Sequence, residues 1–425
     1  MDIIYVLIII SLLIIFSYLF DAFARKTKFP AVILLMGTGI VARALSDYFG
    51  YQIEYLDQII PVMGTIGLIL IVLEGALELK VNREKLSVIL RGFFAAFIIL
   101  LLNVVGLTLF FQHSLDMPGN VAVMNAIPLS IISSAVAIPS AAALLPLDKE
   151  FIVYESTFSD ILGIMMFNYS LKQFTSGGDL LGFQPLSLLL LEIGGIIIAS
   201  IFITWLLFEL IESIDQKVKF FLILALLILV YAIGKKLHLP SLVTIFIFGV
   251  FLSNSTSLLP EFIRKYVSLK KAEEGLHEFH ILTAESTFIV RTFFFLFFGF
   301  SITLDSFVDG YNYIYGGIVL GIMLLMRLLY MLVAERKSLK SLVFISPRGL
   351  ISILLFIQLQ TPEYAQFRST LINGKVLLLV ILGSMLVMLF GTLSVKRKNP
   401  EADASASEEA ALGEELAMED VNQES

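Results

Sequence analysis

Glu155-Ser156-Thr157-Phe158-Ser159-Asp160 places two carboxylates inside an apolar run over about residues 151–171. A run of that length crosses a bilayer, where a charged side chain costs roughly 2.5–3.5 kcal/mol at the centre on insertion scales, so such residues face a protein interior or a wet cavity. On an α-helix five residues turn through about 500°, which points Asp160 about 140° away from Glu155. The two carboxylates therefore meet different neighbours. Asp160 shares its stripe with Ser156, Gly163 and Ile164, small or apolar groups suited to floor a cavity. Glu155 shares its stripe with Ser159 and Leu162 and faces an adjacent helix. One carboxylate is free to hold an ion or a proton, and the other is free to be paired.

The elements that position them are membrane helices. The chain of 425 residues is 58% hydrophobic and 15% charged, against about 25% charged in soluble domains. Its apolar runs are continuous rather than alternating, which excludes a membrane β-barrel. The fold class is all-α and polytopic, with about 13 transmembrane helices expected over residues 3–20, 30–45, 58–77, 88–112, 120–145, 151–171, 186–210, 220–233, 242–252, 286–302, 313–333, 342–359 and 371–393. Residues 260–282 are charged and mixed, and are expected to form an amphipathic helix on the membrane surface. Gly64, Gly67 and the pair Gly317-x-x-x-Gly321 are expected to permit tight helix packing. The first run lacks a small-residue cleavage site after it and is taken as a retained helix. Lys and Arg concentrate after the odd-numbered runs, among them Arg25, Lys26, Lys80, Arg83 and Lys85. By the positive-inside rule the N-terminus lies outside and the C-terminus is cytoplasmic.

Two segments are interrupted. The fifth carries Asn125, Pro128, Ser130, Ser133, Ser134, Pro139 and Ser140, and the twelfth carries Ser346-Pro347-Arg348-Gly349. Internal proline removes a backbone donor and disrupts a helix. Unwound backbone at membrane depth survives only when buried in protein or lining a cavity. Paired breaks in corresponding halves of a chain point to a transport site built from inverted repeats. Asp160 follows the first break and Arg327 precedes the second.

Several features exclude other classes. There is no cysteine, hence no disulfide or thiol chemistry. No G-x-S-x-G, phosphate loop or metal cluster appears, which argues against an enzyme. His277-Glu278-Phe279-His280 has its histidines three apart rather than four, so it is not a zinc motif, and these residues read as solvated surface histidines. Asn254-Ser255-Thr256 is a glycosylation sequon on the side assigned to the cytoplasm. The net charge of −7 comes mostly from residues 396–425, an acidic tail expected to be disordered, with no sign of nucleic-acid binding.

Over about residues 1–395 the chain resembles the monovalent cation/proton antiporters of the sodium/proton exchanger superfamily. Glu155-Ser-x-x-Ser-Asp160 resembles the family's E-S-x-x-N-D motif, and Leu73-Glu74-Gly75-Ala76-Leu77-Glu78-Leu79 resembles the end of its third helix. The run from Phe293 to Ile302 resembles its tenth helix, Pro347-Arg348-Gly349 its broken-helix P-R-G, and Arg327 stands where it keeps a basic residue. The resemblance implies that Asp160 is the ligand of the transported metal cation and carries the proton in turn. It implies exchange of Na⁺, or else K⁺ or Li⁺, for H⁺, without a cofactor; with Ser159 rather than a second acid beside Asp160 the site has one titrating carrier, so one-for-one, electroneutral exchange is expected. It further implies a scaffold over about 1–87 and 218–304, a mobile core over about 88–171 and 311–394, and a homodimer surrounded by membrane lipid; from the compact length a bacterial inner membrane is expected. Two departures stand out. Ser159 replaces the usual Asn, and the unwound T-D-P is matched to Ala137-Ile138-Pro139. Ser133, Ser134, Ser156, Ser159 and backbone carbonyls are then expected to supply ligand oxygens. Glu155 and Arg327 are expected to pair, Arg348 to satisfy carbonyls at the second break, and Arg291 either to pair with a carboxylate or to reach the interface. A cation-coupled carrier of a small organic solute is the alternative reading, and a membrane sensor signalling through the tail is a third.

Overall fold

A computed structural model describes residues 3–27, 29–50, 56–79, 85–141, 144–177, 194, 198, 200–203, 220–236, 241–254, 269–302, 310–335 and 342–394. Among these residues every regular element is a helix: α1 (Ile3–Thr27), α2 (Ala31–Tyr48), α3 (Leu56–Glu78), α4 (Leu86–Leu115), α5 (Gly119–Ser130), α6 (Ser134–Ser140), α7 (Pro146–Thr175), α8 (Phe220–Lys236), α9 (Ser241–Ser253), α10 (Leu269–Phe300), α11 (Gly310–Ala334), α12 (Leu350–Leu359) and α13 (Gly374–Ser394). A 3₁₀ turn, Pro362–Phe367, joins α12 to α13. Within the described residues seven helices or helix pairs are long and apolar enough to cross a membrane. The expected helix at 186–210 and the tail at 396–425 lie mostly or wholly outside the described residues.

Local chemistry explains most boundaries. Pro30 and Pro146 stand at the starts of α2 and α7, where a missing N–H costs nothing. α1 runs to Thr27, past the expected end at residue 20, because nothing breaks the chain before Pro30. The separate surface helix expected at 260–282 is corrected: residues 269–282 are the first half of α10, continuous with its membrane half. The stretch holds good helix formers and no proline, so charge alone does not end the helix.

α10 packs on α2 and α3, and α9 packs on α3; α4 packs on α5, α7 and α11, and α11 packs on α13. Where α2 meets α10 the backbones touch. A Cβ on Gly39 would stand 2.2 Å from the Leu296 carbonyl oxygen, and one on Gly299 would stand 2.3 Å from that of Met36. Gly64 and Gly67 admit Leu354 and Val290, as close packing requires. Gly317 and Gly321 do not do what was expected of them, since both face open space. The neighbouring Gly316 packs on Leu379 instead. One residue of helix is about 100° of rotation, which carries the expected seam off the packed face.

Candidate functional site

The first break opens at residues 131–133, between its two prolines rather than at either. Ala137, Ile138 and Pro139, matched above to the unwound stretch, lie inside α6. Three successive amides in this region leave the helical pattern and find separate partners. The Ile132 N–H donates to Ser159 Oγ at 2.9 Å, the Ser133 N–H donates to the Pro347 carbonyl at 2.9 Å, and the Ser134 N–H donates to Asp160 Oδ2 at 3.2 Å. The first acceptor and the third come from α7, and the second from the other break. Thus the unwound backbone is satisfied by protein, as membrane depth demands.

The second break is the extended stretch at residues 345–349. Arg348, 1% exposed, holds it to the first. Its Nε donates to the Leu129 carbonyl at 2.6 Å and its Nη1 to the Ser346 carbonyl at 2.7 Å. Leu129 would ordinarily receive the Ser133 N–H, four residues on. That N–H has gone to Pro347, and the guanidinium fills the gap. Arg348 therefore satisfies one carbonyl from each break, more than the sequence suggested. Gly349 makes the crossing close: a Cβ there would stand 2.5 Å from Ser133 Oγ.

Asp160 is 2% exposed. Its Oδ2 accepts from both the amide and the hydroxyl of Ser134, and its Oδ1 has no partner. Ser156 bends back to donate to the Ile152 carbonyl at 2.7 Å. Glu155, 140° round the helix, meets Arg327 of α11: Nη1 to Oε1 is 2.6 Å and Nη2 to Oε2 is 3.0 Å. The same guanidinium donates from Nε to the Leu342 carbonyl at 3.1 Å, at the entry to the second break. A buried charge pair with its remaining protons also bonded is the geometry that offsets desolvation.

Of the two things expected of Arg291, the carboxylate is present: Glu74 lies close to it. Arg291 stays inside, and its Nη1 donates to the Ala135 carbonyl at 3.1 Å. Pro139 explains the acceptor, because with no N–H it leaves the carbonyl four residues earlier unpaired.

A cavity of about 510 Å³ leads to this region, lined near its inner end by Gly75, Ser134, Ala135, Pro139 and Arg291. Toward the ends of α3 and α7 it is lined by Glu78, Lys85, Lys149, Glu150 and His280. Lys85 and Glu150 pair at 2.5 Å. His280 therefore lines a cavity rather than the outer surface; the side chain of His277 lies outside the described residues. Glu74, named from the sequence only within the stretch matched to the family's third helix and given no role there, lines the same cavity within reach of Thr287 and close to Arg291. Sequence reading passed over the two-pronged pair of Arg91 with Glu335, whose Nε–Oε1 distance is 2.9 Å. A charge at the end of each helix was the only signal. The sequon Asn254 is buried, and its amide donates to the Leu79 carbonyl at 2.7 Å, closing the end of α3.

Against known proteins, the profile of the transmembrane sodium/hydrogen exchanger family matches residues 9–396. No curated protein sequence matches the chain. A structure of the sodium proton antiporter MjNhaP1 from Methanocaldococcus jannaschii at pH 8 is 20% identical, covers 92% of this chain and 100% of its own, and superposes with a TM-score of 0.68. An electron-microscopy map of the same antiporter is 19% identical, covers 94% and 99%, and gives 0.70. These likenesses show the fold, and the profile shows the lineage. A helical chain whose two breaks cross beside a buried carboxylate, and whose sequence fits that profile almost end to end, belongs to the sodium/hydrogen exchanger family, a family of membrane transporters and not of enzymes.

Proposed function

We propose that the protein exchanges a monovalent cation for a proton by alternating access, with Asp160 as the carrier that both share. The state of its carboxylate carries this reading. Oδ2 is held by Ser134 while Oδ1 is buried with no donor. A buried acceptor without a partner is costly, and an arriving cation or proton is what relieves it. Glu155 is not available for the task, because Arg327 occupies both its oxygens. One carrier on α7 favours exchange of one cation for one proton, which moves no net charge. Sodium is the first cation in this proposal, with K⁺ and Li⁺ as the alternatives. In this proposal Ser134, Ser133, Ser156 and Ser159 supply neutral oxygens; of these Ser134 is hydrogen-bonded to the carrier, while Ser156 and Ser159 bond the Ile152 carbonyl and the Ile132 amide.

The cavity opens among Lys85 and Lys149, on the basic side that the positive-inside rule assigns to the cytoplasm. The conformation is then inward-facing, in a bacterial inner membrane, with the N-terminus outside and the C-terminus cytoplasmic. The packing of α4, α5, α7, α11 and α13 on one another, and of α2, α3, α9 and α10 on one another, supports a core over about 88–171 and 311–394. That core moves against a scaffold over about 1–87 and 218–304, whose outer face makes a homodimer. Proton flux in proteoliposomes tests the reading. A pH gradient collapsed by added Na⁺, and not collapsed in Asp160→Asn, is the expected result. A folded, inserted wild type indifferent to Na⁺, K⁺ and Li⁺ would sink it.

A further inference from the structure

α7 presents one continuous stripe, first to the cavity and then to Asp160. Lys149, Glu150 and Val153 line the cavity. Thr157 and Asp160 follow Val153 at spacings of four and three, which keeps them on the same face. Thr157 is 3% exposed, and its hydroxyl has no hydrogen-bond partner. That departs from habit, since a buried hydroxyl on a helix ordinarily donates back to its own preceding turn, as Ser156 does. The Thr157 hydroxyl lies against α3 instead, where a Cβ on Gly75 would stand 3.3 Å from it. Gly75 itself lines the cavity, so a position without a side chain separates the hydroxyl from the open space. Two unpartnered buried oxygens, Thr157 Oγ1 and Asp160 Oδ1, are thus carried by one face of one helix, about 4.5 Å apart along its axis. The other buried side-chain groups without partners, among the described residues, belong to α4, α5, α11 and α12.

We infer that Thr157 is a specificity-determining ligand, whose hydroxyl oxygen coordinates the partly dehydrated cation as Asp160 takes it up. The inference rests on the reading of Asp160 as carrier. A neutral oxygen replaces part of the hydration shell without adding charge, so it selects among alkali cations and leaves the stoichiometry alone. It also makes up for a first break that contributes Ser134, and no carboxylate, to the site.

The test compares wild type, Thr157→Val, Thr157→Ser and Asp160→Asn in proteoliposomes, with exchange driven by Na⁺, Li⁺ or K⁺ in turn. Valine keeps the shape and removes the oxygen. Loss of one ligand to a charged species predicts about a tenfold or greater rise in apparent KM for the preferred cation, at a maximal rate near wild type, with serine restoring KM. A purely structural role would lower rate and yield together and leave KM where it was. Asp160→Asn inactive with Thr157→Val at wild-type KM for all three cations would overturn the assignment of Thr157 alone. Asp160→Asn as active as wild type would overturn the carrier reading and this inference with it. Should Thr157→Val fail to insert, Gly75→Ala, which crowds the hydroxyl but keeps it, carries the same expected rise in KM and the same refutation.

Discussion

Arg327 holds both carboxylate oxygens of Glu155 from a helix 172 positions further along the chain, with each side chain 1% exposed. Removing either partner leaves a buried charge alone, at about 3–5 kcal/mol. Glu155→Gln and Arg327→Gln should therefore each lower thermal stability in detergent and the yield of monodisperse protein. The double variant should recover part of both. An abundant, fully active Glu155→Gln would show that the pair is dispensable.

Arg291 and Pro139 should be coupled through the carbonyl of Ala135. Arg291→Met strands that oxygen, at a cost of about 1–3 kcal/mol. Pro139→Ala restores an N–H four residues on, so the same Arg291→Met change made in that background should cost less. A double-mutant cycle on unfolding midpoints gives the coupling directly. Strict additivity would mean that Arg291 does not serve this carbonyl.

The crossing of the two breaks depends on the bare backbone at Gly349. Gly349→Ala pushes a Cβ into Ser133, and overpacking of this kind costs about 1–3 kcal/mol. Exchange should fall with stability, and Ser133→Gly in the same chain should bring the melting temperature back toward wild type. Unchanged exchange and unchanged melting in Gly349→Ala would contradict the close approach.

Asn254 closes α3 by donating to Leu79 and Val250. Asn254→Asp puts an acceptor where a donor is needed and should cost about 1–3 kcal/mol. The midpoint of thermal unfolding should drop while apparent KM for the cation stays fixed. A shifted KM would place this residue nearer to transport than its position suggests.

The helical, membrane-spanning plan was legible because long apolar runs leave few other solutions. The divergence of Glu155 and Asp160 was legible because it needs only the pitch of a helix. Where the first break opens was not legible. Pro128 and Pro139 mark the neighbourhood, but residues 131–133 unwind because the amides of Ile132, Ser133 and Ser134 have Ser159, Pro347 and Asp160 to bond, and those acceptors are set by tertiary structure. The bond from Arg291 to Ala135 escaped because that carbonyl becomes available only through Pro139. Thr157 drew no reading from the sequence, since nothing in a lone sequence says which threonine on a helix will forgo its own backbone. The extent of α10 was misjudged for a different reason: hydropathy marks where a helix enters lipid, not where it begins.

The bond from the Ser133 amide to the Pro347 carbonyl also sets an order on the birth of the molecule. Ribosomes add about 5–20 residues each second, so the donor waits roughly 10–40 s for its acceptor to be made. Throughout that interval the first half of the chain is in the membrane with its central crossing unfinished. Commitment to the native arrangement comes only once the second break has been made. A chain cut short before the second break loses the partner of the first as surely as if the first had been altered.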